Sequence, residues 1–190
     1  MPRMPACACC AVPGRRLILR AGAGLLCAAI GAGTSLAQAT GGEPRRLRIH
    51  RLATEEAFEG VYWRDGRYDR EALRQLDWVL RDPSRGEATP MDPRLFDVLY
   101  AVAEEMEAGE GYQVISGYRA PETNAARARE SRRVSRASLH MSGMAADVRL
   151  VGRDSLGMAR LAAEMQMGGV GLYRRDGFVH LDCGPARRWS

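Results

Sequence analysis

Apolar residues recur along the chain with two periods, and glycine, proline and aspartate mark the breaks between the segments. Leu47, Ile49 and Val61 sit in short alternating stretches, with turn signals at Gly60 and Asp65-Gly66. That pattern predicts an N-terminal hairpin after a flexible lead-in at residues 41–44. Asp69 can cap a helix whose apolar positions Leu73, Leu76, Val79 and Leu80 have helical spacing, with Asp82-Pro83 ending it. Asp92 can cap a second, with Pro93 at its first position and Leu95, Phe96, Leu99, Val102 and Met106 on one face. Residues 112–115 predict a strand that leads into Ser116-Gly117-Tyr118-Arg119. Residues 122–133 predict a helix too basic to be deeply buried. A strand over 145–151 and a helix over 155–167 follow, broken by Gly168-Gly169. Two strands, 170–173 and 178–182, then flank a turn at Arg175-Asp176-Gly177. Helices and strands do not alternate regularly. The expected class is therefore α+β, a small, mainly antiparallel sheet with flanking helices.

Composition changes the picture at the N-terminus. The chain has 190 residues, with 28 basic side chains against 23 acidic ones, a net charge of +5, and 5 cysteines. It has no lysine, so every basic residue is arginine. Residues 1–39 hold four arginines (Arg3, Arg15, Arg16, Arg20), no acid, and an apolar run over 21–37 that ends in Ala37-Gln38-Ala39. A basic start, a short apolar stretch and small residues at a cleavage position predict an export signal. Arg15-Arg16 followed by Leu17-Ile18 and Arg20 resembles a twin-arginine address. An uncleaved membrane anchor is the alternative, although the run is at the short edge of a span. Cys27 does not suit a lipoprotein site, because the large Leu26 precedes it.

Cleavage after Ala39 divides the chain into a signal at 1–39 and a domain at 40–190. The domain keeps 24 arginines against 23 acids, a charge of +1, and only Cys183 among the cysteines. Neither a disulfide scaffold nor a cysteine metal site survives, and the case for nucleic acid disappears with the basic leader.

The scarce residue is histidine. His50 has no motif around it and reads as a satisfied surface side chain. His140 lies in Ser138-Leu139-His140-Met141-Ser142-Gly143-Met144-Ala145-Ala146-Asp147, and His180 in Phe178-Val179-His180-Leu181-Asp182. Alternate strand residues share a face, so Asp147 and Arg149 oppose Val148 and Leu150. By the same parity Phe178, His180 and Asp182 oppose Val179 and Leu181. Two neighbouring strands could put Asp147 and His180 on one surface, with His140 joining by the Gly143 turn. Two imidazoles and a carboxylate suit a single tetrahedral zinc with an open position for water, which serves hydrolysis. A capping aspartate and two surface histidines remain the alternative at this point.

These motifs, with Ser116-Gly117-Tyr118-Arg119, Leu95-Phe96-Asp97, Gly168-Gly169-Val170-Gly171 and Gly184-Pro185-Ala186-Arg187-Arg188-Trp189, resemble the LAS-type zinc peptidases. That group includes D-alanyl-D-alanine peptidases and the hedgehog fold; the likeness is greatest to its murein endopeptidase K branch. The resemblance implies a hedgehog/D-Ala-D-Ala-peptidase-like arrangement, one zinc on His140, Asp147 and His180, and Arg119 stabilising the oxyanion. Ser116, Ser138 and Arg149 are candidates for binding substrate. Many relatives carry a general-base acid three residues before the last histidine, where this chain has Gly177. Asp182 is the candidate catalytic base, or else a carboxylate that orients a ligand histidine; Asp176 has the same parity but sits in a turn. Cys183 lacks a paired base, Trp78 is expected in the core, and Trp63 and Trp189 could stack on sugars. The implied function is a periplasmic zinc endopeptidase cutting peptide cross-links of peptidoglycan, with peptide stems as partners. No nucleic acid and no stable membrane insertion after cleavage are expected. A D,D-carboxypeptidase and a non-catalytic peptidoglycan-binding module are the alternatives.

Overall fold

The computed structural model describes residues 42–132 and 134–190. The export signal, its twin-arginine motif and its cleavage position lie outside the described residues. The chain begins with β1 (Arg45–Arg51) and β2 (Glu56–Arg64), an antiparallel hairpin, and a two-residue β3 (Arg67–Tyr68). Its turn falls at residues 52–55, so Gly60 lies inside β2 and not at a turn. Phe58 and Tyr62 supply the buried face of β2, while Val61 is only half-buried. The Asp65-Gly66 turn forms as expected, with both residues at positive φ.

Helix α1 (Arg70–Val79) starts where the Asp69 carboxylate accepts the amides of Glu71 and Ala72. Helix α2 (Pro93–Glu105) starts where Asp92 accepts the Arg94 amide. Strand β4 (Tyr112–Ser116) leads to α3 (Pro121–Glu130), which buries only Asn124. A 3-10 turn (Leu139–Ser142) precedes β5 (Ala145–Leu150), α4 (Ser155–Met165), β6 (Gly169–Tyr173) and β7 (Phe178–Asp182). A short strand, β8 (Arg187–Trp189), ends the chain and had no counterpart in the sequence pattern.

The fold is α+β, and the sheet is larger and more mixed than expected. Eight strands run in the order β3-β2-β1-β4-β5-β7-β6-β8, with parallel pairs at β1–β4 and β6–β8. A strand of three exposed residues carries too little hydrophobic alternation to be seen in a sequence. Helices α1, α2 and α4 pack on the sheet. They share one core with Ile49, Tyr112, Val114, Val148, Val179 and Leu181 from the strands. Trp78, expected inside, is 51% exposed. Its indole lies under Arg81 and donates to Glu56, so its apolar area is covered by charged neighbours. No helix among the described residues is long and apolar enough to cross a membrane.

Candidate metal centre

The sheet register sets the site. Strand β5 pairs with β7 so that Asp147 lies directly opposite His180, both on the face away from the buried Val148, Val179 and Leu181. On the other side of β5, the β4 ladder is irregular between Val114 and Ser116, and Ser116 comes beside Asp147. His140 arrives from the 3-10 turn. Ser138 caps that turn through its hydroxyl, and Gly143 ends it at φ +67. A Cβ at Gly143 would stand 2.8 Å from the Pro90 carbonyl oxygen, so both the backbone conformation and the space favour glycine.

Hydrogen bonds fix which ring atom each histidine presents. The His140 Nδ1–H donates to the Gly117 carbonyl at 2.7 Å, leaving the Nε2 lone pair inward. The His180 Nε2–H donates to Asp182 Oδ2 at 2.9 Å, leaving Nδ1 inward. His140 Nε2 lies 3.2 Å from His180 Nδ1 and 3.3 Å from Asp147 Oδ1, and His180 Nδ1 lies 3.0 Å from the same oxygen. Three lone pairs therefore converge, which is unfavourable unless a cation joins them. Zinc–ligand bonds of about 2.0–2.1 Å in a tetrahedron separate ligand atoms by about 3.3 Å, close to the triangle observed. The donor set, two imidazoles and a carboxylate with a second carboxylate behind one imidazole, fits zinc.

Burial opposes charge on His180, but its bonds to Asp147 and Asp182 outweigh that and raise its pKa. Burial likewise opposes the charge of Asp147, and His140 and His180 outweigh it, holding the carboxyl well below the usual range.

Arg119 is buried beside the triangle. Its Nη1 donates to Asn124 and its Nη2 to Ser116, each at 3.2 Å, and Nη2 stands 3.7 Å from Asp147 Oδ2. Its Nε is buried without a partner. His140, Asp147, His180, Arg119, Ser116 and Ser138 all line one cavity of about 650 Å³. Arg127, Tyr173, Asp176 and Trp189 line it too.

Two predicted residues lie apart from that lining. The Asp182 carboxylate is fully buried, and both its oxygens are engaged. Oδ1 accepts the Gly169 and Gly184 amides, each at 2.9 Å, and Arg187 Nη1 at 3.1 Å. Oδ2 accepts His180 and Arg187 Nη2. Arg149 turns to the β6–β7 turn, where it donates to the carbonyls of Asp176 and Gly177. His50 is a surface side chain against Glu55. Burial pushes the Cys183 thiol up to about 11, which suits an inert residue.

The sequence pattern did not single out Arg127 and Arg187, which line the cavity, or Asn124, which holds Arg119. Two signals were available: a lone amide in a basic helix and the short Asp182-to-Arg187 spacing.

A family model described as Peptidoglycan L,D-endopeptidase MepK matches residues 39–189. The Peptidoglycan L,D-endopeptidase MepK of Escherichia coli (strain K12) is 37% identical over 176 residues, which cover 92% of this chain and 96% of that protein. The protein of the same name from Shigella flexneri has the same identity and coverage. The Probable peptidoglycan L,D-endopeptidase MepK of Haemophilus influenzae is 32% identical over 156 residues, covering 82% of this chain and 84% of the relative. No solved structure matches the chain.

Proposed function

Because the chain belongs to the Peptidoglycan L,D-endopeptidase MepK family, we propose that it is a zinc-dependent endopeptidase that hydrolyses peptide cross-links of peptidoglycan. The observation that carries this reading is the convergence of His140 Nε2, His180 Nδ1 and Asp147 Oδ1 beside a buried arginine in one cavity. Those three atoms would hold the zinc, which when bound lowers the pKa of water and polarises a carbonyl.

The remaining work falls to the chain. Arg119, held by Ser116 and Asn124, stabilises the negative charge that develops on the carbonyl oxygen under attack. Its fixed position means no reorganisation is needed when that charge appears. Asp182 serves as a positioning residue: its closed network supports the role of orienting His180 over that of a base, because neither oxygen is open to water. The proton of the attacking water passes to Asp176, a carboxylate of the cavity lining outside the ligand set, and from it to the departing amine as the C–N bond breaks. Arg149 fixes the turn that carries Asp176 and so acts on substrate indirectly. Ser138 holds the His140 turn.

The substrates are cross-linked stems, D-alanyl and diaminopimelate–diaminopimelate links both included. The sheet and its site form a hedgehog/D-Ala-D-Ala-peptidase-like arrangement. The enzyme works in the periplasm, and residues 1–39 export it by the twin-arginine route before removal.

The test is digestion of cross-linked muropeptide dimers by the purified protein, with and without a chelator, read by mass spectrometry. Chelator-sensitive release of monomers supports the reading. Loss of terminal alanine with the dimers intact would make it a D,D-carboxypeptidase, and binding without products a non-catalytic module.

A further inference from the structure

Asn124 and Arg127 are three residues apart in α3 and so share a helix face. Asn124 is buried and accepts from Arg119, which fixes that face toward the site. Arg127 stands one turn further along and lines the same cavity. The two guanidinium groups are near enough that, after burial, the charge of Arg127 is the next cause lowering the Arg119 pKa.

The arginines of this cavity differ in their commitments. Arg119 is tied to Asn124 and Ser116, and Arg187 grips Asp182 with both terminal nitrogens. The Arg127 guanidinium has no hydrogen bond or ion pair among the described residues. Arg127 is exposed. Other exposed arginines, such as Arg46, Arg67 and Arg160, also lack an ion pair among the described residues; Arg127 differs from them in lining this cavity beside Arg119. An unpaired guanidinium beside another cation, in a partly enclosed cleft, gains most from an anion that enters with the substrate.

Aromatic side chains line the same cavity. Tyr173 and Phe178 stack with centroids 4.5 Å apart, and the Trp189 ring lies 5.1 Å from that of His180. The cleft thus combines guanidinium groups with aromatic surface suited to methylene groups.

We propose that Arg127 determines specificity by binding a carboxylate on the carbon that bears the scissile nitrogen. The proposal rests on the endopeptidase reading above and narrows its substrate class. In a diaminopimelate cross-link that carbon carries both the scissile nitrogen and a carboxylate. The carboxylate lies about 5 Å from the carbonyl oxygen under attack, on the order of one helical turn. With that oxygen at Arg119, held from Asn124, the carboxylate meets Arg127. A guanidinium fits it through two parallel hydrogen bonds, which a carboxamide cannot accept in the same way. The preferred substrates are therefore cross-links with that carboxylate free, and amidated ones are poor.

The test uses two synthetic diaminopimelate-linked dimers that differ only in a carboxylate or a carboxamide at this carbon. The protein, its Arg127→Gln variant and an Arg129→Gln control are compared. Arg129 does not line the cavity; it lies in a neighbouring groove with Pro121, Asn124, Ala125 and Met141. The original protein is expected to favour the carboxylate in kcat/KM by roughly 10- to 100-fold, the scale of a charged hydrogen-bonded pair. Arg127→Gln brings the ratio to near one, and Arg129→Gln keeps it. Calorimetric binding of the corresponding monomeric stems, free or amidated, must show the same loss of preference. If Arg127→Gln retains the preference, or the original protein has none, the proposal is overturned. If neither dimer is cut but the monomers are still discriminated through Arg127, the endopeptidase reading fails and the carboxylate site stands.

Discussion

At the scale of single residues, Asp182 shows how much the orientation of His180 depends on what stands behind it. Its carboxylate keeps the His180 proton on Nε2 and is itself clamped by Arg187 and two backbone amides. Asp182→Asn is expected to weaken zinc binding by about 10- to 100-fold, measured by competition with a chromophoric chelator. Unchanged affinity would remove the positioning role. The same group makes binding depend on pH. The raised His180 pKa means its proton stabilises the metal-free fold at low pH, and that contribution is lost as pH rises through the folded pKa. Zinc bound through His180 would have to displace this proton, so apparent affinity is expected to fall as pH drops below that pKa, by up to about tenfold per unit. Asp147 and Asp182 have the opposite sign. Burial opposes their charges, but their partners hold both pKa values down. Their contribution is present above about pH 4 and is lost as pH falls further. Zinc titrations between pH 5 and 8 check the first expectation, since the carboxylates stay charged there. That Asp147 and His180 come together was legible in the sequence, because strand parity reports which residues share a face. The Arg187 clamp and the turn of Arg149 toward Gly177 were not, because parity says nothing about where a long side chain ends.

At the scale of elements, the site depends on short segments more than on the long helices. Helices α1 and α2 could be read from their caps and apolar spacing, since Asp69, Asp92 and Pro93 act locally. The hairpin turn was harder to place: Gly60 signals a turn but sits within β2, where pairing with Leu47 decides the matter. Strand β8 was invisible because its place follows from side chains that fit over glycines of β6. A Cβ at Gly171 would stand 2.4 Å from the Trp189 ring. Gly171→Ala is therefore expected to displace Trp189 and β8. That should cost on the order of 1–3 kcal/mol, as overpacking does, and be seen as a lower Tm with quenched or shifted indole fluorescence. Gly143→Ala combines positive φ with the close Pro90 oxygen and moves His140 directly. It is expected to lower both Tm and zinc affinity, by thermal unfolding and chelator competition. A variant with wild-type values in both would mean that the turn does not set the ligand.

At the scale of the whole molecule, one core under one mixed sheet carries β4, β5 and β7 side by side, and the metal triangle spans the latter two and the turn before β5. The α+β class followed from the irregular order of elements. The size of the sheet did not, because the parallel β1–β4 and β6–β8 pairings join segments distant in sequence. A metal that binds only the folded state stabilises it by about 4 kcal/mol at a thousandfold excess over Kd. Chelation is accordingly expected to lower the Tm reversibly. The central claim, that one zinc on His140, Asp147 and His180 supports cross-link hydrolysis, is tested most directly by titrating zinc into metal-free protein while monomer release from muropeptide dimers is followed. The expected result is activity that rises linearly from zero and levels at one equivalent, with His140→Ala inactive throughout. Full turnover in the metal-free protein, or in His140→Ala, would contradict it.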